Sequence, residues 1–203
     1  MAFTDFTLDT LRISFGISIR QEPLFANIQP IPIPSWLRET LDKGMPLALG
    51  SEKARSEFIV APILLALRDL NSNQITIYSG QRLEGDPAVG LVGECDFLVT
   101  PSPPLPIIQA PIISLVEAKK NDIESGLGQC AAQMLGAQRF NLRDHTGIET
   151  IYGCVTTGEV WQLLKLDDLV LVIDTERYYI NELEVILGVL QAMVHQFLPD
   201  SQV

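Results

Sequence analysis

The feature that most constrains the fold is the apolar run at residues 112–116, Ile-Ile-Ser-Leu-Val. This run lacks the polar alternation of a half-exposed strand, and it therefore predicts a strand over 112–119 that is buried on both faces. A sheet that contains such a strand must be covered by helices on both sides, because each apolar face has to be shielded from water. The run therefore predicts an α/β fold in which helices lie on both faces of the sheet.

Other strands and helices are predicted before and after this strand in the sequence. Short β-rich runs bounded by turn residues predict strands at 75–78, 91–100, 150–155, 160–166 and 169–173, with a turn at 85–87. The short connections at Gly158 and at Asp167-Asp168 predict that the last three strands form an antiparallel meander. The order of elements predicts an α/β architecture with a mixed central β-sheet flanked by helices.

Capping residues and glycines predict where the helices begin and end. Thr7 is expected to cap a short helix that ends near Gly16. Ser51 is expected to cap a helix that runs toward residue 70, with a kink or break at Pro62. Further caps are predicted at Ser35, at Asp122 or Ser125, and at Asn181. The prolines between Ile28 and Pro34 predict extended backbone before the second helix.

Length and composition predict one core and a reducing environment. The 203 residues suffice for one compact domain, in which 51–203 form the core domain and 1–50 an N-terminal extension packed on it. The three cysteines show no C-x-x-C spacing, which favours buried free thiols. The sequence shows no secretory signal at its N-terminus and no apolar stretch near the roughly 20 residues that cross a bilayer. We therefore expect a cytoplasmic protein that does not associate with membranes.

The polar end of the buried strand at 112–119 carries the residues most able to do chemistry. Glu117 and Lys119 are two residues apart, so their side chains share one face of the strand. The preceding strand carries Asp96 and, on the same predicted face, Glu94. If the two strands pair, Asp96 and Glu117 lie side by side and repel each other unless a cation holds them. The pattern predicts a Mg²⁺ site, which Mn²⁺ can also fill, with the Ala118 carbonyl as a further ligand. Lys119 would then orient water or stabilise phosphate charge.

Several other kinds of site find no support in the sequence. The two histidines, His145 and His195, are too few for a zinc cluster. The sequence contains no Gly-x-Ser-x-Gly elbow, no Walker A motif and no dinucleotide fingerprint; the glycines at 126 and 128 lack the third glycine. The net charge of −11 argues against a promiscuous nucleic-acid binder, because such proteins usually present a basic surface.

Four segments of the chain, taken together with their order, resemble the PD-(D/E)XK nuclease superfamily. Gly-Glu-Cys-Asp-Phe at 93–97 and Val-Glu-Ala-Lys at 116–119 resemble the two halves of its motif, although Cys95 stands where the family name implies proline. Segments 51–57 and 126–133 resemble the helices before and after that motif. The resemblance spans about residues 51–157 and extends to uncharacterised cyanobacterial members. It implies a restriction endonuclease-like or Holliday-junction resolvase-like core.

The resemblance also implies roles for individual residues. Asp96 and Glu117 would be metal ligands, Lys119 the catalytic lysine and Glu57 an accessory metal-binding acid. Gln129 would support the site or contact substrate. The residues alone leave other interpretations open, since Glu57 sits among charged neighbours on a solvated helix and Gln129 can bond a nearby loop instead. Surface charges at Lys120, Arg82 and Arg139 are candidate phosphate contacts or ordinary solvated side chains.

Three hypotheses about function follow. The first is a Mg²⁺-dependent nuclease (a phosphodiester hydrolase), with DNA favoured over RNA by the resemblance. The second is a catalytically silent nuclease-fold module for binding or assembly, which the acidic charge favours. The third is an acidic interaction protein whose carboxylates converge by coincidence. The apolar stripe of the final helix can be covered either by the sheet or by a second copy in a homodimer.

Overall fold

A seven-stranded mixed sheet organises the molecule in the computed structural model, which describes residues 1–198. The strands are β1 Ser18–Glu22, β2 Thr76–Asp86, β3 Leu91–Thr100, β4 Ser114–Ala118, β5 Ile151–Thr156, β6 Val160–Asp167 and β7 Val170–Tyr179. Their order is β1-β7-β6-β5-β4-β3-β2, and only the β1–β7 and β4–β5 pairs are parallel among these neighbours. The predicted α/β architecture is confirmed, and β4 lies inside the sheet with every residue buried.

Helices cover both faces of this sheet. They are α1 Leu8–Phe15, α2 Ser35–Gly44, α3 Glu52–Arg55, α4 Ala61–Leu70, α5 Ile123–Arg143 and α6 Leu183–His195. One apolar cluster joins α2, α4 and α6 to the sheet, and a second joins α1 and α5 to the opposite face. Within the described residues, none of these helices has the length and apolar character to cross a membrane.

Many of the local predictions hold because capping and turn chemistry is local. Thr7 accepts a hydrogen bond from the Thr10 backbone, and Gly16 ends α1 with a left-handed backbone at φ 71°. Strand β3 has the predicted bounds, and strands β5, β6 and β7 form the predicted antiparallel meander. Asp122, one of two predicted caps, caps α5. The break at Pro62 takes the form of a π-helical segment, Ser56–Val60, just before α4 begins.

Several predicted boundaries are wrong by a few residues. Strand β2 continues to Asp86, into the predicted turn at 85–87, and Gly85 packs so closely on Gly136 of α5 that a Cβ would come within 2.4 Å of that backbone. The turn follows at Pro87–Val89 and ends at Gly90. Ser35 lies inside α2, and Glu182 rather than Asn181 precedes α6.

The first fifty residues contribute directly to the sheet and to both clusters. Strand β1, which the sequence pattern did not predict, pairs in parallel with β7 at one edge of the sheet. Leu11 of α1 and Leu37 of α2 are each fully buried, in opposite clusters. The apolar stripe of α6 is buried against α4 and the sheet, so this chain covers the stripe without a second copy.

Candidate metal centre

Asp96 and Glu117 meet where β3 and β4 stop pairing. The antiparallel register runs from Val99–Ser114 to Phe97–Val116, and the next residues along the two strands are Asp96 and Glu117. The Asp96 carboxylate Oδ2 accepts a hydrogen bond of 2.7 Å from the Ala118 backbone N–H. This bond turns the aspartate across the end of β4 and brings it beside Glu117.

Glu52 completes a group of three carboxylates. One oxygen from each of Glu52, Asp96 and Glu117 lies within 4.8 Å of the other two. Glu52 is the first residue of α3, whose N-cap Ser51 accepts a hydrogen bond from the Ala54 backbone N–H. The exposure of the acids decreases inward, from exposed Glu52 through half-buried Asp96 to Glu117, which is 2% exposed. The group therefore opens to solvent on one side only.

Lys119 lies against this group and is held by three oxygen atoms. Its Nζ donates to Glu117 Oε1 at 2.8 Å and to Gln129 Oε1 at 3.0 Å, and it lies 3.6 Å from Glu52 Oε1. Burial opposes the positive charge, but the carboxylates, chiefly Glu117, outweigh it and raise the pKa of Lys119. The lysine therefore stays charged and fixed beside the acids.

Gln133 supports Glu117 from the buried side. Its Nε2 donates to Glu117 Oε2 at 2.8 Å, and the side chain has no exposed surface. The other amide atom, Oε1, is buried and has no hydrogen-bond partner among residues 1–198. A buried acceptor without a partner costs free energy, and few buried polar atoms in native structures lack one. The site thus contains one polar atom that the described part of the chain leaves unsatisfied.

The electrostatics of the group favour a bound cation. Burial, together with the neighbouring Asp96 charge, raises the pKa of Glu117 to about 7 against the lowering effect of Lys119. Burial also raises the pKa of Asp96, against a hydrogen bond from the Ala118 backbone. Both carboxylates therefore bind protons more readily than free carboxylates do, because the protein alone does not neutralise them. A divalent cation between them would remove this penalty.

The donor set fits a hard cation. Its atoms are carboxylate oxygens, which Mg²⁺ prefers. Cys95 and Cys130 lie nearby, but burial raises the pKa of both thiols, so they remain protonated and do not supply the thiolate that soft metals require.

An open cavity of about 360 Å³ leads to the group. Glu52, Asp96 and Ala118 line it, together with Glu57 and Glu94. The mouth is therefore strongly acidic. This arrangement suits a cation, and it repels a polyanion unless metal is bound.

The structure brings most of the predicted residues together. Glu117, Lys119 and Gln129 form one hydrogen-bonded group. The Asp96 carboxylate lies beside this group, where it accepts a hydrogen bond from the Ala118 backbone N–H. Glu57 lines the cavity but lies outside the three-acid group and forms an ion pair of 3.7 Å with Lys53.

The sequence pattern did not single out Glu52, which joins Asp96 and Glu117 where Glu57 was expected. Glu52 and Glu57 are five apart and so face different directions on a helix. No residue pattern shows which direction faces the strand ends.

Gln133 gave a weak signal, since a glutamine surrounded by Cys130, Ala132 and Met134 on a buried helix requires a polar partner.

Comparisons of the chain with models of protein families, with curated proteins and with solved structures found no match. The resemblance of residues 51–157 to the nuclease superfamily therefore stays a prediction from the sequence.

Proposed function

We propose that this protein is a Mg²⁺-dependent nuclease that hydrolyses phosphodiester bonds, with DNA as the substrate favoured by the family resemblance. The observation that carries the proposal is the convergence of Glu52, Asp96 and Glu117 within 4.8 Å, with Lys119 bonded to the deepest acid. Three carboxylates repel one another at this distance, and a purely structural cluster has no need of them.

Each residue of the group has a distinct task in this proposal. Glu52, Asp96 and Glu117 would hold the cation. When bound, Mg²⁺ supplies Lewis-acid polarisation of the phosphate and acidifies a water. Lys119, whose ammonium is fixed 2.8 Å from Glu117, would orient the attacking water and balance the charge that develops on the phosphate oxygens.

The two glutamines hold the lysine and the deepest acid in place. Gln129 accepts from Lys119, and Gln133 donates to Glu117, so one face of α5 orients both groups. The unsatisfied Oε1 of Gln133 can accept a hydrogen bond from water or from a protonated Glu117. These contacts preorganise the site before substrate binds.

One observation favours a second candidate, a silent binding module of the same fold. The cavity mouth carries four acids and one lysine in a protein of net charge −11. A nucleic acid would be repelled by this surface in the absence of metal. The two candidates differ in one measurable property, since only the enzyme couples metal binding to phosphodiester cleavage.

The test measures Mn²⁺ binding, as a visible substitute for Mg²⁺, together with cleavage of single-stranded and duplex DNA. Asp96→Ala should abolish both metal binding and cleavage. Lys119→Ala should retain metal, because a competing cation is removed, but lower cleavage by roughly 100-fold or more. Asp42→Ala removes an exposed acid of α2 as a charge-matched control and should change neither.

Two outcomes would contradict the proposal. Cleavage by Asp96→Ala at the rate of wild type would show that the activity does not use this site. Specific Mn²⁺ binding without cleavage of any nucleic acid would favour the silent module instead.

A further inference from the structure

A second cavity lies on the other side of the end of β4. Its volume is about 270 Å³, and three basic residues, Arg55, Lys120 and Arg177, line it with two acids, Glu124 and Glu159. Cations therefore outnumber carboxylates in this cavity, whereas carboxylates outnumber cations in the first. In a protein of net charge −11, a cavity with excess positive charge beside a metal centre indicates an anionic ligand.

Two of the three cations are held firmly by the protein. Arg55 is 11% exposed; its Nη1 donates to the Thr157 carbonyl at 2.8 Å and pairs with Glu159 at 3.2 Å. Arg177 donates to the Gln162 side chain and pairs with Glu124. These contacts neutralise most of the two guanidinium charges and shape the wall of the cavity.

Lys120 supplies the positive charge that is not neutralised. It is exposed, and it forms no ion pair with any residue in the part of the chain that the structure describes. Its neighbour Lys119 is bound into the acid group instead. Consecutive residues thus direct one ammonium to the metal centre and the other to the second cavity.

The same short helix connects the two cavities. Glu52 at the start of α3 reaches the acid group, and Arg55 at its end reaches the second cavity. A ligand that spans the end of β4 would therefore contact both cavities without any rearrangement of this helix.

We propose that the second cavity binds a backbone phosphate of the nucleic-acid strand whose neighbouring phosphodiester occupies the metal centre, with Lys120 as its main contact. The inference rests on the proposed function, since it needs a strand at the metal centre. It also accounts for the low basic content of the protein: the metal neutralises one phosphate, and a single lysine neutralises the next. The substrate is then held by few charges, and its binding depends weakly on salt.

The experiment measures binding of a labelled single strand of about 12 nucleotides, within the site sizes of single-strand binders, by fluorescence anisotropy. Ca²⁺ replaces Mg²⁺, because its looser coordination occupies the carboxylates while slowing hydrolysis. Salt is varied from about 50 to 200 mM, where phosphate contacts determine the slope of log affinity against log salt. The proteins compared are wild type, Lys120→Gln, Lys120→Arg and the control Lys43→Gln on α2.

Lys120→Gln should weaken binding at low salt and reduce the slope by about 0.7, the value for one phosphate of a single strand. Lys120→Arg should restore both, and Lys43→Gln should match wild type although it removes the same net charge. An unchanged slope in Lys120→Gln, or an equal loss in Lys43→Gln, would overturn the inference.

The metal titration separates this inference from the proposed function. If wild type binds Mn²⁺ and cleaves DNA while Lys120→Gln retains the wild-type slope, the nuclease stands and the phosphate site is wrong. If wild type binds the strand through Lys120 but cleaves nothing, the phosphate site stands as part of a silent module.

Discussion

Glu117→Gln should stabilise the metal-free protein at neutral and alkaline pH while it abolishes metal-dependent activity. Burial raises the pKa of Glu117 from 4.5 to about 7, despite the opposing contact with Lys119. The folded protein therefore binds this proton more tightly than the unfolded chain does. The resulting cost to stability is small below the unfolded pKa of 4.5, grows between 4.5 and 7 and is complete above 7.

The magnitude follows from the size of this shift. Each pKa unit corresponds to about 1.36 kcal/mol, so the change from 4.5 to about 7 amounts to roughly 3 kcal/mol above neutral pH. Most of this cost arises between pH 5 and pH 8. The new amide also fits the site: its oxygen can accept from Lys119, and its nitrogen can donate to the unsatisfied Gln133 Oε1 after that side chain flips.

The assay is urea unfolding in EDTA at pH 5 and pH 8. Glu117→Gln should be roughly 3 kcal/mol more stable than wild type at pH 8 and less than about 1 kcal/mol more stable at pH 5. Glu176→Gln, at an exposed position on β7, controls for the change in net charge and should follow wild type. A Glu117→Gln protein no more stable than wild type at pH 8 would contradict the raised pKa of Glu117.

Mg²⁺ should largely cancel this difference in stability at pH 8. At a concentration 100 times its Kd, the ion should stabilise wild type by about 2.7 kcal/mol, because it binds only the folded protein. The variant should gain little, since an uncharged amide replaces the deepest of the three proposed ligands. An equal effect of Mg²⁺ on both proteins would show that the ion binds elsewhere.

Two further predictions concern the supports of the site. Gly126→Ala would place a Cβ within 2.5 Å of Val155 and 3.1 Å of the Lys119 stem. This crowding should lower the free energy of unfolding in urea by about 1–3 kcal/mol and lower kcat more than it weakens Mn²⁺ binding. A variant with the kcat of wild type would contradict this prediction. Ser51→Ala removes the cap of α3, which carries Glu52, and should cost about 1 kcal/mol and weaken Mn²⁺ binding measured by titration. Unchanged Mn²⁺ affinity would show that the cap does not position Glu52 for the ion.

The sequence determined the features that depend on neighbouring residues. The cap at Thr7, the end of α1 at Gly16 and the bounds of β3 follow from local backbone chemistry. The pairing of Glu117 with Lys119 was also predictable, because residues two apart on a strand share a face. Asp96 joined them because β3 and β4 pair as expected.

The tertiary structure alone decided what depends on the relative placement of distant segments. Strand β1 is mostly polar and exposed, and it becomes a strand only because β7 offers it hydrogen-bond partners at the sheet edge. Glu52 rather than Glu57 joins the acids because the packing of α3 and the π-helical segment sets which side of the helix faces β4. The rotation of a helix about its axis and the distance between two segments result from the packing of the whole core, and no short stretch of residues encodes them.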